Sequence, residues 1–152
     1  IGMPLSWIAE YAGGVPEGAA KVVSGGPMMG RAIANLDACT VKGSSSLLYL
    51  SEKTTKRAAQ SNCIRCGKCA EACPMGLEPF LLNKLAKNGM MDELEANAVQ
   101  DCISCGSCQF TCPACIPLLD SINIAKGQVL GILRARAAAA KAAAEAAKAS
   151  QK

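Results

Sequence analysis

The first third of the chain alternates short apolar runs with turn-forming residues. Apolar side chains recur at helical spacing from Leu5 to Ala12, with Pro4 at the first turn and two glycines as the stop, which predicts a short helix. Three candidate strands follow, separated by glycine- and serine-rich turns: Lys21 to Ser24, Ala38 to Lys42 and Leu47 to Leu50. The pattern predicts a small α+β unit over residues 1–52. It is too short for a secure core of its own, so we expect it to pack on something else or to be truncated.

The middle of the chain is patterned for helices. Pro79 can open one helix, which is predicted to end near Asn88. Asp92 followed by Glu95 resembles a capping box, which predicts the start of a second helix. These two helices would lie within a helical module that we place at residues 53–133.

Apolar residues after Pro117 predict further helix packing, interrupted near Gly127 and Gly131. The composition changes at Arg134, where alanine with scattered lysine favours a helix but offers no apolar stripe to bury. Residues 134–152 are therefore predicted to form a solvated, helical C-terminal tail.

One cysteine pattern, Cys-x2-Cys-x2-Cys-x3-Cys-Pro, occurs twice without a gap, 39 positions apart from Cys63 to Cys102. This spacing is typical of the bacterial ferredoxin run that holds two [4Fe-4S] clusters, where three close cysteines bind one cluster and the fourth binds the other. We therefore expect two crossed ligand sets. The first set is Cys63, Cys66, Cys69 and Cys112, and the second is Cys102, Cys105, Cys108 and Cys73.

A glycine occupies the same place in both copies of the pattern, at Gly67 and Gly106. Because glycine has no Cβ, the backbone there can approach a cluster and aim its amide protons at the sulfurs. A plain turn glycine is the alternative, and it is compatible with the same role.

Three other uses of the cysteines fit less well. Structural zinc sites also use Cys-x2-Cys pairs, but those pairs usually stand well apart, with four sulfurs for each ion. A disulfide scaffold would need a higher density than 10 cysteines in 152 residues, and no secretion signal is visible. A thioredoxin-like Cys-x-x-Cys pair would leave most of the thiols unexplained.

Composition removes several classes of function. The chain has no histidine, which excludes the Ser-His-Asp triad, the His-Glu-x-x-His protease and the Cys-x-x-Cys-His haem attachment. One Trp, two Tyr and two Phe offer little to stack on bases, and the formal charge of +4 comes entirely from the segment after residue 133, so no nucleic-acid partner is expected. No stretch approaches the run of about 18 apolar residues that a membrane span needs. Cluster cysteines must stay reduced for assembly, which points to the cytoplasm.

Several segments outside the cysteine runs carry a family resemblance. They are Ile1 to Gly14, the Gly-Gly-Pro-Met-Met-Gly segment from Gly25 to Gly30, Val41 to Gly43, and Pro117 to Asp120. Together with both cysteine runs, they resemble the C subunit of the Rnf ion-translocating electron-transport complex. The Gly-Gly-Pro-Met-Met-Gly segment is the part that selects this family among the many that share the cysteine runs.

The resemblance implies a partial β-grasp-like, soluble-ligand-binding segment over residues 1–52, followed by an α-helical two-[4Fe-4S] ferredoxin module. It also implies an electron-transfer subunit of an oxidoreductase and translocase complex, peripheral on the cytoplasmic face of the bacterial inner membrane. Single electrons would pass between two ends: a site that binds nicotinamide nucleotide and flavin, and the partner subunits of that membrane-bound complex. In this family a flavin and nucleotide domain precedes the β-grasp segment. We expect that domain to be missing from this sequence, so FMN and NADH contacts are assigned to no residue of this chain.

Two alternative interpretations of the chain remain open at this point. One is a fragment of a soluble flavoprotein that resembles the cobalamin reductases of bacterial microcompartments. The other is an interaction module that metal merely stabilises. Redox titration separates the interaction module from an electron relay. The flavoprotein alternative keeps the clusters, so co-purification with membrane subunits is the observation that separates it.

We also make predictions for four residues that are not among the predicted ligands. Cys39 lies in a candidate strand and is expected in the core. Cys115 stands where the family pattern suggests a polar residue such as asparagine, and it is expected to be a bystander thiol; the alternative is a competing ligand, since it lies three residues after Cys112. Arg65 and Lys68 lie inside the first cysteine run, where the second run has serines. We therefore predict that the first cluster has the higher reduction potential.

Overall fold

The computed structural model describes the backbone of residues 1–56 and 58–150, and the side chains of the same residues as far as Ala146. The chain divides into two compact units, the first ending at Gln60 and the second beginning at Ser61. A small sheet with helices in the first unit and helices alone in the second confirm the predicted α+β class.

The first unit is built on a three-stranded antiparallel sheet in the order β2-β1-β3. Val22, in the middle strand, pairs with Ile33 on one side and with Tyr49 on the other. Leu5, Ala9 and Val23 are its buried apolar side chains. The elements of the unit are α1 (Leu5–Tyr11), β1 (Ala19–Ser24), β2 (Arg31–Ile33), β3 (Leu47–Ser51) and α2 (Glu52–Thr55).

The predicted strand over Ala38 to Lys42 is wrong. This segment bonds to the residues around the start of α1 instead of joining the sheet: the Gly2 amide donates to the Thr40 carbonyl at 2.7 Å, and the Thr40 amide donates to the Met3 carbonyl at 2.8 Å. Cys39 is consequently exposed and not in the core, contrary to the expectation from its place in that segment.

The strand that the sequence did not predict is β2 (Arg31–Ile33), which directly follows the Gly-Gly-Pro-Met-Met-Gly segment. That segment turns tightly, because the Gly30 amide donates to the Gly26 carbonyl at 2.7 Å. A Cβ at Gly30 would collide with the Val23 side chain and the Gly26 carbonyl oxygen, so only glycine fits there. Three residues are too few for an alternating pattern, which explains why the sequence did not indicate this strand.

The second unit packs its helices on one long helix, α7. Five large side chains on these elements are less than 2 % exposed: Leu82, Leu94, Val99, Ile122 and Val129. The elements are α3 (Lys68–Glu71), α4 (Pro79–Lys87), α5 (Met91–Ala96), a 3₁₀ turn (Val99–Asp101), α6 (Ser107–Phe110) and α7 (Leu118–Ser150). A shift of 39 residues carries α3 onto α6 and α4 onto the first nine residues of α7, so the cysteine repeat is also a structural repeat.

The predicted interruption near Gly127 and Gly131 is wrong, since α7 runs unbroken through both glycines. Each glycine costs a helix about 1 kcal/mol relative to alanine. Burial of Ala125, two residues before Gly127, and of Val129, between the two glycines, offsets that cost.

The predicted capping box at Asp92 and Glu95 is also wrong, because both residues lie inside α5, whose N-cap is Met90. Their carboxylates instead bind the guanidinium group of Arg136 on α7, at 3.3 and 2.7 Å. The Arg136 side chain is 54 % exposed, so these two ion pairs contribute little to stability. The two contacts place Arg136, near the start of the tail, beside α5.

Side chains from Arg134 to Ala146 are exposed, and the helix continues to Ser150. Across the part of the chain that the structure describes, no helix combines the length and the apolar character that crossing a membrane requires.

Candidate metal centre

Four cysteines from both runs line one cavity of about 290 Å³ in the second unit. Cys63, Cys66 and Cys69 come from the first run, and Cys112 is the last cysteine of the second. Apolar side chains complete the wall, among them Ile116 and Leu118. The cavity is therefore larger than a single ion and presents four sulfur donors.

The other four cysteines line a second, tighter cavity of about 20 Å³. Cys102, Cys105 and Cys108 come from the second run, and Cys73 is the last cysteine of the first. The structure thus groups all eight predicted ligands as the spacing suggests, with the fourth cysteine of each run exchanged. Ligation itself stays a prediction.

The two cavities are related by the repeat. Adding or subtracting 39 carries nearly every lining residue of one onto a lining residue of the other, for example Phe80 onto Leu119 and Leu77 onto Ile116. Two matched positions differ in polarity. Arg65 of the first cavity corresponds to Ser104, which does not line the second cavity, and Asn83 corresponds to Ile122, which does.

The donor chemistry of both cavities fits an iron-sulfur cluster better than zinc. In a tetrahedral zinc site four thiolates surround one ion, with sulfurs about 3.8 Å apart given a Zn–S distance of about 2.3 Å. Among the described residues, no three Cys, Asp or Glu side chains form a group that could hold a single metal ion. Four thiols spread around a shared space are the donor set that a [4Fe-4S] cluster uses.

Left-handed backbone conformations recur at three matched pairs around the cysteines. The φ angles are 53° and 57° at Arg65 and Ser104, 78° and 82° at Gly67 and Gly106, and 65° and 52° at Gly76 and Cys115. Backbone that alternates between right- and left-handed conformations forms a concave nest of amide protons, which suits an anionic cluster. Only for the glycines of the middle pair was a role of the backbone predicted from the sequence.

Gly67 takes a backbone conformation that favours glycine. Its φ is strongly positive, yet a Cβ built there would meet no atom within 4 Å. The left-handed turn that starts α3 is therefore one reason for a glycine here, and the close approach of its backbone to a cluster stays a prediction.

Cys115 lines neither cavity. It takes the left-handed conformation that its counterpart Gly76 takes, and its amide donates to the Cys112 carbonyl at 3.1 Å. Asparagine tolerates this conformation better than most residues, which accounts for the expectation of a polar residue at this position.

Burial sets the protonation of the inner thiols. It raises the pKa of Cys69, with the nearby Cys112 thiol adding to the shift. Burial likewise raises the pKa of Cys108 to about 11, with Cys102, Cys105 and Cys73 adding to it. The Ser107 hydroxyl, 3.5 Å from the sulfur, lowers the pKa of Cys105. Because a cluster binds thiolates and not thiols, loading a cluster at these sites would release protons.

Two family models match the chain, and both are described as a 4Fe-4S dicluster domain. They match residues 55–113 and residues 31–78. Two such clusters are therefore the cofactors of this chain. Neither match supports the alternative of a lone structural metal.

The C subunits of ion-translocating complexes are similar to most of this chain. The C subunit of the Na(+)-translocating ferredoxin:NAD(+) oxidoreductase complex of Acetobacterium woodii is 44% identical over 130 residues, covering 86% of this chain and 29% of the relative. The C subunit of the ion-translocating oxidoreductase complex of Rhodobacter capsulatus is 44% identical over 129 residues, covering 85% and 25%. The chain spans less than a third of the length of these relatives. Over the residues that match, it belongs to the family of C subunits of Rnf-type ion-translocating oxidoreductase complexes.

Proposed function

We propose that this chain relays single electrons through two [4Fe-4S] clusters, one in each cysteine-lined cavity. Cys63, Cys66, Cys69 and Cys112 would hold the first cluster, and Cys102, Cys105, Cys108 and Cys73 the second. The observation that carries the proposal is the pair of cavities related by the repeat, each with three cysteines from one run and one from the other.

The residues of the chain would supply the ligands and the cavity walls of each cluster. When bound, a [4Fe-4S] cluster provides a reversible one-electron couple. The thiolates would hold it, and backbone amides at the left-handed turns of Gly67 and Gly106 would donate toward its negative charge. Apolar neighbours such as Ile116 and Ile122 exclude water from the cavity walls. Because each run supplies three cysteines to one cavity and its fourth to the other, the two sites would form one relay.

The relay would serve a larger complex. One relative is named as a subunit of a ferredoxin:NAD(+) oxidoreductase complex, and both names include ion translocation. These names support a relay that passes electrons between a nicotinamide nucleotide and flavin site and partner subunits of a membrane-bound, ion-translocating complex. We place the chain at the cytoplasmic face of the membrane as a peripheral part of that complex. FMN and NADH would bind outside residues 1–152. No nucleic acid takes part.

For residues 1–52 we propose a β-grasp-like segment. Its support is the antiparallel sheet of β2, β1 and β3 with α1 in the same unit. The ferredoxin module would span residues 53–133, followed by the helical tail from residue 134.

The proposal predicts the metal content of the reconstituted chain. Anaerobic reconstitution with iron and sulfide should give about eight iron and eight sulfide atoms per chain, which is the content of two cubane clusters. Reduction should produce a cubane EPR signal, and titration should show reversible one-electron couples. Stoichiometric zinc without iron would contradict it, and bound iron with no reversible couple would favour a metal-stabilised interaction module.

The first cluster is predicted to have the higher reduction potential. Arg65 lies in the wall of the first cavity and Lys68 begins α3 directly after Gly67, whereas the matched residues Ser104 and Ser107 are uncharged. Cations stabilise the more negative, reduced cluster. Arg65→Ser with Lys68→Ser should lower the first midpoint by an amount on the order of tens of millivolts, less at high salt. Lys42→Ser with Lys141→Ser, on exposed residues outside both cavities, is the control with the same change in net charge. An unmoved midpoint in the first variant would refute the prediction.

A further inference from the structure

Asn83 is a buried polar residue in an otherwise apolar core. It lies on α4, is 8 % exposed, and lines the first cavity together with the four cysteines. Burying an amide without a hydrogen-bond partner costs roughly 1–3 kcal/mol, so a side chain of this kind needs a partner for each polar end.

The carbonyl end of the Asn83 side chain has its partner in Ser121 on α7. The Ser121 hydroxyl donates to Asn83 Oδ1 across 2.6 Å. That distance is typical of an O–H···O bond and short for an N–H···O bond, which supports this orientation of the amide over the flipped one. The same hydroxyl lies 3.1 Å from the Leu118 carbonyl, a longer and weaker contact.

The NH₂ end of Asn83 is left to face open space. It donates to no other group among the residues that the structure describes, and it is not one of the two enclosed unpaired side-chain atoms found there, Tyr49 Oη and Gln100 Oε1. The two spaces that Asn83 lines are the first cavity and a groove with Lys84 and Lys87, and both border Cys63. Two amide protons are therefore available at the first ligand set.

The second cavity has no equivalent donor at the matched position. The residue that the repeat matches to Asn83 is Ile122, which is 1 % exposed and lines the second cavity. The same position in the repeat thus has a hydrogen-bond donor at one cavity and a hydrocarbon at the other.

Building on the proposed function, we propose that Asn83 donates an amide hydrogen bond to a sulfur of the first cluster and thereby raises its reduction potential above that of the second. Ser121 is the positioning residue that holds the amide in the donating orientation. A hydrogen bond to a cluster sulfur stabilises the reduced form more, because that form carries more negative charge. The asymmetry at Asn83 and Ile122 would then direct electrons within the relay.

The test is a redox titration of the reconstituted chain, followed by EPR. Asn83→Leu keeps the shape and removes the donor, so the first midpoint should fall while the second stays unchanged. Ile122→Asn should raise the second midpoint. Ser121→Ala should move the first midpoint part of the way, because the amide remains but loses its orientation. The Cys73→Ala chain, which keeps only the first cluster, assigns the midpoints.

A spectroscopic measurement covers the case in which Asn83→Leu fails to load iron. In the unaltered chain with ¹⁵N-labelled asparagine, pulsed EPR should detect a nitrogen coupling from the Asn83 amide. This coupling should disappear in Asn83→Gln, which removes the labelled residue, and weaken in Ser121→Ala, where the amide remains but loses its orientation. Unchanged midpoints with full iron content, or no asparagine coupling, would overturn the inference. Absence of iron or of any reversible couple in the unaltered chain would instead overturn the proposed function.

Discussion

Replacing Cys63 and Cys112 together by alanine is expected to cost the chain one cluster, whereas replacing Cys63 and Cys73 together is expected to cost it both. Cys63 and Cys112 line the same cavity although they belong to different runs, while Cys63 and Cys73 belong to one run and line different cavities. The first double variant should therefore retain about four iron atoms per chain, and the second should retain few or none.

These two double variants give opposite results under the two possible ligation schemes. If each run held its own cluster, Cys63→Ala with Cys73→Ala would be the pair that keeps about four iron atoms. Iron and sulfide analysis after anaerobic reconstitution measures the difference directly. Cys115→Ala is the matched control, because this thiol lies three residues after Cys112 and lines neither cavity. It should leave the metal content at that of the unaltered chain.

Leu94→Ala is expected to destabilise the second unit by about 2–5 kcal/mol, the usual cost of opening a cavity at a buried leucine. Leu94 is 0 % exposed, where α5 packs against α7 and the 3₁₀ turn. A loss of this size is a large part of the roughly 5–15 kcal/mol that typically stabilises a domain.

Anaerobic urea denaturation, followed by circular dichroism, measures this effect. Ile124→Ala on α7 is the matched control, because that side chain is 66 % exposed and its truncation should change stability by less than about 0.5 kcal/mol. Equal losses in the two variants would show that α5 does not contribute to the core as described.

The grouping of the cysteines was predictable because it depends on spacing alone. A loop with two residues between cysteines can present three sulfurs to one point, and the fourth is carried past it by the following turn. The helices opened by Pro79 and Leu118 and the strands β1 and β3 were also found from local pattern. These are features in which sequence neighbours decide the structure.

Features that depend on distant partners were missed. Asp92 and Glu95 have the spacing of a cap, but Arg136, more than 40 residues later, is their partner. The segment around Cys39 looks like a strand, yet its bonding partners are the residues before α1. The glycines of α7 resemble breaks in the sequence because the packing that keeps the helix intact comes from other helices.

Asn83 could have been found from the sequence by extending the repeat past its prolines. The alignment at 39 residues places Asn83 opposite Ile122, a contrast as clear as that between Arg65 and Ser104. What the sequence could not supply is the bond to Ser121, which turns the amide toward the cavity.

The exchange of the fourth cysteine also bears on the origin of the chain by duplication. One copy of the repeat would have three thiols for one site and offer its fourth to a neighbour, so it could complete no site alone. Two identical copies related by a two-fold axis would complete both cluster sites, because each copy would give its fourth cysteine to the other copy's site and receive the other copy's fourth cysteine in return. The present chain has the arrangement expected of such a homodimer whose two copies have been joined. Joining the copies freed matched positions to diverge, and this is what allows one half to carry Asn83 where the other carries Ile122.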